Sequence, residues 1–268
     1  MKILNGKELA DYIKERQAKQ VRNLRQEWKV LPKLAIIQTI DNPVIDTYVH
    51  LKQRYGDDIG VEVGVHKVDQ ADLFTVIEEL NSDNTVHGII IQLPLADVSA
   101  TEHAVNAVAT SKDVDGLAAN SQFTPATPMA IDWLIAGYNV NLVGKRIAIV
   151  GNGRLVGAPL FKLWQAQGKD VTVFGKESAE TLSLKLREYD VIVTAVGKPN
   201  LIDSDAVKIE AVMIDAATSS EDGKIVGDVS QAVRQRDDLT ITPEKGGVGP
   251  LTVTALFDNV IVAARASV

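Results

Sequence analysis

The 268-residue sequence has no cysteine, which excludes disulfides, thiolate metal ligands and cysteine nucleophiles and agrees with a reducing compartment such as the cytoplasm. No run of Lys or Arg stands out, and 28 basic against 35 acidic residues leave a formal charge of -7. A general nucleic-acid surface is therefore not expected, and any anionic ligand has to be held by a local pocket. The first ten residues lack an apolar segment behind their positive charge, and no uncharged apolar stretch reaches bilayer length. Neither export nor membrane insertion is expected. The histidines His50, His66, His87 and His103 fall in no metal-ligand spacing and read as surface or helix residues, and no serine sits in a G-x-S-x-G elbow. Tandem repeats and low-complexity tracts are also absent.

What is present is the balance of a folded enzyme-like body, 46% hydrophobic and 24% charged, long enough for two domains. Apolar spacing predicts a helix over 7–29, with Leu9, Ile13, Val21, Leu24 and Trp28 on its stripe, and then a continuous apolar strand over 34–40. Helices over 44–55 and 72–80 alternate with strands over 61–68 and from Gly88 to Leu93. A second series follows Thr127-Pro128: helix 129–136, strand 146–150, helix 160–167, strand 170–174, helix 179–188, strand 190–195 and strand 212–215. Residues 251–264 are apolar and free of Gly and Pro, and read as a last helix. This alternation predicts parallel α/β architecture in two parts, with the boundary near residue 120.

Between strand 146–150 and its helix stand Gly151, Gly153 and Gly157, where a sharp turn brings backbone N–H groups against a pyrophosphate at a helix N-terminus. The spacing is G-x-G-x-x-x-G, and such turns also serve as plain strand-to-helix connections. At the end of the next strand, where an adenosine ribose is read, Lys176 favours a 2′-phosphate and Glu177 a free 2′-hydroxyl, while Arg154 adds charge from the turn. All three are equally compatible with solvated loop positions, so the choice between NADP and NAD is open at this level.

Tyr48 and Lys52, one helical turn apart, share a face. Such pairs are usually a partly buried ring beside a snorkelling lysine. Gln92 closes a strongly apolar strand and is followed by Leu93 and Pro94, and ligands of open parallel sheets bind outside such strand ends. Asp115 precedes Gly116 and is either a turn-former or an acceptor for donor groups of a bound heterocycle. The loop from Gly246 to Thr252, with Gly247 and Pro250, either cradles a ligand or reverses the chain.

Taken in order, these segments resemble the bifunctional methylenetetrahydrofolate dehydrogenase/cyclohydrolase family. The resemblance rests on Tyr48-Val-x-x-Lys52, Gly88-Ile-Ile-Ile-Gln-Leu-Pro-Leu95, Lys112-Asp-Val-Asp-Gly116, Thr127-Pro128, the turn from Val150 through Val156-Gly157 to Pro159, Ala195-Val-Gly-Lys-Pro199 and Gly246-Gly-Val-Gly-Pro250. It implies a folate-binding catalytic domain over 1–120 completed by a helix over 251–268, and a Rossmann-like domain over 121–250, with a cleft between them and a homodimeric assembly. It also implies oxidation of 5,10-methylenetetrahydrofolate with NADP, NAD being the alternative, and hydrolysis of the methenyl product to 10-formyltetrahydrofolate. Lys52 becomes the central catalytic residue, Gln92 tunes it, Tyr48 packs on the folate rings and Asp115 accepts from pterin N–H groups. Leu93, Pro94, Gly247, Pro250 and Thr252 join the substrate side. Gly151, Asn152, Gly153, Arg154, Val156, Gly157, Lys176, Ala195, Val196, Gly197 and Thr218 become the nucleotide side.

The sequence departs from the family pattern at the nucleotide end. Gly151-Asn152-Gly153 stands where many members have Gly-Arg-Ser, and Gly175-Lys176 where His-Ser is usual. Ile45, Ala126 and Lys245 replace a common serine, cysteine and proline. Folate chemistry is expected to survive, with cofactor recognition shifted. The rivals are a shikimate- or amino-acid-type dehydrogenase, which does not require this Tyr, Lys, Gln and Asp set, and a cyclohydrolase or folate binder whose redox site is lost.

Overall fold

Leu34, Ala35, Ile36 and Ile37 are all fully buried. They form a strand with neighbours on both sides and both faces covered, where apolar side chains need not alternate with polar ones. Each buried Leu or Ile contributes about 2 kcal/mol relative to exposure. The computed structural model describes residues 1–217, 219–221 and 224–268. In chain order its elements are β1 (Lys2–Ile3), α1 (Gly6–Glu27), β2 (Lys33–Gln38), α2 (Pro43–Ile59), β3 (Glu62–Lys67), α3 (Leu73–Ser82), β4 (Gly88–Ile91) and α4 (Thr101–Ala107). There follow α5 (Ala126–Gly137), β5 (Arg146–Val150), α6 (Gly157–Ala166), β6 (Asp170–Phe174), α7 (Leu182–Leu186), β7 (Val191–Thr194), β8 (Val212–Asp215), β9 (Ser219–Glu221), β10 (Lys224–Val226), α8 (Gln231–Arg234), β11 (Thr240–Ile241) and α9 (Val248–Ala266). The chain divides into two compact units, Asp11–Ala126 with Val253–Val268, and Met1–Ala10 with Thr127–Thr252.

The first of these units holds a parallel sheet in the order β3-β2-β4, with Ile37 level with His66 and Ile91. Its core gathers Ile37, Leu73, Ile77, Ile89, Leu95 and Val105. From β2 the chain steps to β3 on one side, then returns past β2 to β4 on the other. The reversal of strand order therefore falls between β2 and β4, and ligands of open α/β sheets usually bind outside the carboxyl ends of strands at such a point.

The second unit holds a six-stranded sheet in the order β1-β11-β8-β7-β5-β6, every pair parallel. Ile149 on β5 is level with Val173 on β6 and Val193 on β7. Here the reversal falls between β5 and β7. Ile192, Met213, Ile241 and Leu186 belong to its core.

Several expectations change. The helix expected over 179–188 is a tight three-residue-per-turn coil at Lys176–Thr181 followed by the short α7, anchored where Leu182 and Leu186 are buried. The last helix starts at Val248, three residues early. Pro250 sits in its first turn, where N–H groups have no helical partner to lose. Trp28 lies beyond the end of α1 and is exposed, not part of its buried stripe. His87 belongs to neither a surface nor a helix: it is buried just before β4 and accepts the Lys33 N–H at Nδ1, 3.2 Å away. Burial, with Lys112 nearby, holds its imidazole below the usual range and neutral enough to accept. Among the described residues one helix, α9, is long and apolar enough to cross a membrane, although it contains Asp258 and Arg265, and most of it is buried.

Candidate active site

The rotation of α2 is set by its ends. Asn42 accepts the Val44 N–H at 2.8 Å, Pro43 opens the helix, and Gly60 closes it in the left-handed conformation at φ 84°. Close packing fixes its depth, since a Cβ on Gly56 would lie 2.5 Å from the Val63 side chain and 2.8 Å from the Val61 carbonyl. Tyr48 and Lys52 stand one turn apart on this helix, both half-buried. In the next turn the Tyr55 hydroxyl donates to Gln17 Oε1 at 2.7 Å, and its ring lies 5.0 Å from that of Phe257. Burial pushes the Tyr55 hydroxyl up to about 12, so it remains a donor. The Gln17 amide in turn donates to the Thr254 carbonyl at 2.9 Å, tying α1, α2 and α9 together.

Lys52 Nζ donates to Gln92 Oε1 at 2.7 Å. Gln92 follows β4 directly: its backbone N–H donates to the Ile37 carbonyl at 2.9 Å, which puts the side chain at the carboxyl ends of β2 and β4. Its amide nitrogen donates to the Leu93 carbonyl at 3.2 Å, which turns Oε1 toward the lysine. Leu93 and Pro94 continue the strand end through a cis peptide bond. Desolvation holds the Lys52 ammonium below the ordinary lysine value, while the nearby Asp115 carboxylate works in the opposite direction. Burial likewise pushes Asp115 above the usual carboxylate range, with Lys52 pulling it down and Asp113 adding to the rise. Lys52, Gln92 and Asp115 are thus one electrostatic cluster, with neutral amine accessible at lower pH than in water.

The two aspartates of the Asp113-Val-Asp115-Gly116 segment divide the roles that sequence left open. Asp113 closes the turn, accepting the Ala118 N–H at 2.9 Å and the Leu117 N–H at 3.4 Å. Asp115 accepts no hydrogen bond from a described residue, so its oxygens are available to a ligand donor. Gly116 is required at φ 72°, and a Cβ there would lie 2.7 Å from the Pro125 nitrogen. Lys112, part of the same motif, is structural: its ammonium donates to the carbonyls of Leu80, Asn81 and Asp83 at the end of α3. From α9, Asn259 donates to the carbonyls of Val114 at 2.8 Å and Thr124 at 3.0 Å, holding the aspartate loop from both ends. A groove of about 530 Å³ lies beside the ends of β2 and β3, lined by Gln38, Asp41, Lys67, Asp69 and Asp72 among others. It is not this site: Tyr48, Lys52, Gln92 and Asp115 do not line it.

In the other unit the glycine turn lies at the sheet reversal. Gly151 adopts φ 101°, and a Cβ on it would lie 2.8 Å from the Ala195 carbonyl and 3.1 Å from the Val196 side chain. The turns after β5 and β7 are therefore in contact. A Cβ on Gly157 would lie 1.9 Å from the Gly151 carbonyl oxygen, whereas one on Gly153 meets nothing within 4 Å. Gly151 and Gly157 serve the turn itself; Gly153 leaves an open approach to the backbone. Asn152, Gly153 and Arg154 are exposed, Val156 is half-buried at the start of α6, and no side chain caps that helix. Ala195, Val196 and Gly197 are held by Asp228, fully buried, which accepts the Val196 N–H at 2.8 Å, the Lys198 N–H at 2.7 Å and the Thr194 hydroxyl at 2.5 Å. Lys176 is exposed. Gly247 is buried and packs on Gly6, where a Cβ would lie 1.8 Å from the Gly247 carbonyl oxygen; Pro250 is half-buried, and Thr252 donates to the Val248 carbonyl at 3.3 Å. Thr218 lies outside the described residues.

Sequence reasoning missed Asp228, Asn259 and Gln17. Asn259 left a trace as an amide inside an apolar helix; Asp228 and Gln17 left none, because their partners lie far away in the chain.

The chain matches two family models: the tetrahydrofolate dehydrogenase/cyclohydrolase catalytic domain over residues 4–115 and the NAD(P)-binding domain of the same name over residues 125–268. It is 35% identical to the bifunctional protein FolD of Exiguobacterium sibiricum, over 98% of this chain and 99% of the relative. The crystal structure of the bifunctional FolD enzyme from Campylobacter jejuni superposes with a TM-score of 0.94 at 33% identity, covering 100% of both chains. The FolD of Trypanosoma brucei, solved with NADP and an inhibitor, gives a TM-score of 0.92 at 28% identity, covering 99% of this chain and 97% of that one.

Proposed function

This chain belongs to the tetrahydrofolate dehydrogenase/cyclohydrolase family, and on that premise we propose which of its residues carry each step. The protein oxidises 5,10-methylenetetrahydrofolate to 5,10-methenyltetrahydrofolate with a nicotinamide dinucleotide and hydrolyses that product to 10-formyltetrahydrofolate.

The residues after β5 and β7 fit the dinucleotide: a left-handed Gly151, an open backbone at Gly153 and an uncapped α6 N-terminus meet at the reversal of the sheet. Bound there, the nicotinamide supplies the acceptor for the hydride leaving the methylene carbon. The protein's contribution to that step is alignment. Asn152, Arg154, Val156, Gly157, Ala195, Val196 and Gly197 complete the nucleotide side, and Leu93, Pro94, Gly247, Pro250 and Thr252 the folate side.

Lys52 carries the hydrolysis. Water adds to the methenyl carbon as the neutral amine takes its proton. The bond from that carbon to N5 then breaks as the ammonium returns the proton to N5 and the added hydroxyl releases its own proton to solvent, so that the positive charge of the methenyl substrate leaves as that proton and a neutral formyl group remains on N10. One water is consumed and Lys52 ends as it began. Gln92 fixes the lysine through its 2.7 Å bond, the observation that carries this reading. Asp115 accepts from pterin N–H groups, and the Tyr48 ring packs on the folate. The enzyme works as a cytoplasmic homodimer in this reading, and equilibrium sedimentation should give twice the 28.9 kDa chain mass.

The test is an absorbance assay of the native protein with 5,10-methylenetetrahydrofolate and either NAD or NADP, following reduced nucleotide and methenyl product together. Both should form, with the methenyl band then decaying faster than in buffer. A protein that reduces neither nucleotide lacks the first activity; one that leaves supplied methenyltetrahydrofolate at the uncatalysed rate lacks the second.

A further inference from the structure

We infer that Glu177 makes the nucleotide site select an adenosine ribose with a free 2′-hydroxyl, so that NAD is used in preference to NADP. This rests on the nucleotide-binding reading above and concerns what that site discriminates.

The argument starts at the end of β6, the strand beside β5 on the side away from β7. In doubly wound dinucleotide folds that strand end meets the adenosine ribose, and an acidic side chain there bonds the 2′-hydroxyl. The Phe174 carbonyl accepts the Gly151 N–H at 2.8 Å, so the strand end and the glycine turn are neighbours. One residue on, the Gly175 N–H donates to Glu177 Oε1 at 3.2 Å. A Cβ on Gly175 would lie 2.4 and 2.6 Å from the two carboxylate oxygens. Gly175 thus makes room for a carboxylate that folds back onto the strand end and is fixed there by a backbone bond. Glycine at 175 and glutamate at 177 work as a pair.

The surrounding charges decide the sign. Asn152 is neutral and Gly153 has no side chain, so neither adds a cation. Arg154 and Lys176 are exposed cations of the same region. No described hydrogen bond or ion pair fixes Lys176. The Glu177 carboxylate is thus bonded to the backbone at the strand end, while the Lys176 ammonium beside it is exposed. A 2′-phosphate carries nearly two negative charges, and its repulsion by one fixed carboxylate about 5 Å away amounts to roughly a tenfold loss even in a water-like dielectric. The free 2′-hydroxyl meets no such repulsion and donates to the same carboxylate.

The experiment measures dissociation constants for NAD and NADP, by protein fluorescence or calorimetry at low ionic strength, together with kcat/KM for both, in the native protein and in Glu177→Gln. Glutamine keeps an acceptor for the Gly175 N–H and removes the charge. The native protein should bind NAD about tenfold or more tightly than NADP. In the variant NADP should gain roughly tenfold while NAD changes by less than about threefold, and raising the salt concentration should shrink the native preference. A native preference for NADP, or an unchanged ratio in the variant, overturns the role of Glu177 while leaving the nucleotide site in place. Failure of the native protein to bind either nucleotide overturns the site itself and the selection with it.

Discussion

Replacing Lys52 by Met should reduce hydrolysis of supplied methenyltetrahydrofolate by roughly a thousandfold, the scale of a lost general base. Methionine keeps the length and the packing of the stem. It removes a charge that burial already disfavours, so the melting temperature should stay level or rise. Gln92 Oε1 loses its donor but remains half-exposed to water. Oxidation of methylenetetrahydrofolate should fall far less, because removal of a hydride depends on alignment and not on a base. Methenyl product should therefore accumulate in the variant where the native enzyme consumes it. Full hydrolytic activity in a folded Lys52→Met protein removes Lys52 from the mechanism.

The second large effect is expected at Gly157→Ala. The added methyl would lie 1.9 Å from the Gly151 carbonyl oxygen and 2.8 Å from its carbon. Both are backbone atoms of a turn whose N–H is bound to the Phe174 carbonyl at 2.8 Å, so the clash is relieved only by opening the turn or tilting α6. Nucleotide affinity should fall by about a hundredfold, some 2.7 kcal/mol, and dehydrogenase turnover with it. Hydrolysis of supplied methenyltetrahydrofolate should stay within about threefold, since Lys52, Gln92 and Asp115 all belong to the other compact unit. Gly153→Ala is the control: a Cβ there meets nothing within 4 Å, so stability is unchanged and any lost affinity reports the approach of the ligand to that backbone. Parallel loss of both activities in Gly157→Ala, with normal folding by circular dichroism, contradicts this division.

How much of this was legible depends on how local the cause is. Strands β5, β6 and β8 were read to the residue, because runs such as Arg146 to Val150 need only apolar, β-branched side chains between turn residues. β1 and β11 are two residues each and are held by pairing across long stretches of chain, Lys2 with Thr240 and Thr240 with Val212. No local pattern encodes that. Gln92 stood out because a polar residue ending an apolar strand needs a partner, and its partner proved to be Lys52. For Asp115 the residues alone left turn-former and ligand acceptor open; the turn is closed instead by Asp113, which accepts the Ala118 N–H. The partners of Asn259 and Asp228 were hidden for the same reason as β1: their hydrogen bonds reach across long stretches of chain, to Val114 and to Val196, and only Asn259 left a local mark, as an amide inside an apolar helix.

The most direct measurement of the central claim is the pH dependence of methenyltetrahydrofolate hydrolysis by the native enzyme, with the uncatalysed rate subtracted at each pH. In the proposed hydrolysis the active form of Lys52 is the neutral amine, and burial lowers its pKa from 10.5. Below the folded value the ammonium dominates, so kcat/KM should climb about tenfold per pH unit and then level off before pH 10.5. In Gln92→Glu, whose carboxylate favours the ammonium, the same rise should move to higher pH. A profile that is flat across this range, or one that Gln92→Glu leaves in place, contradicts a hydrolysis centred on Lys52.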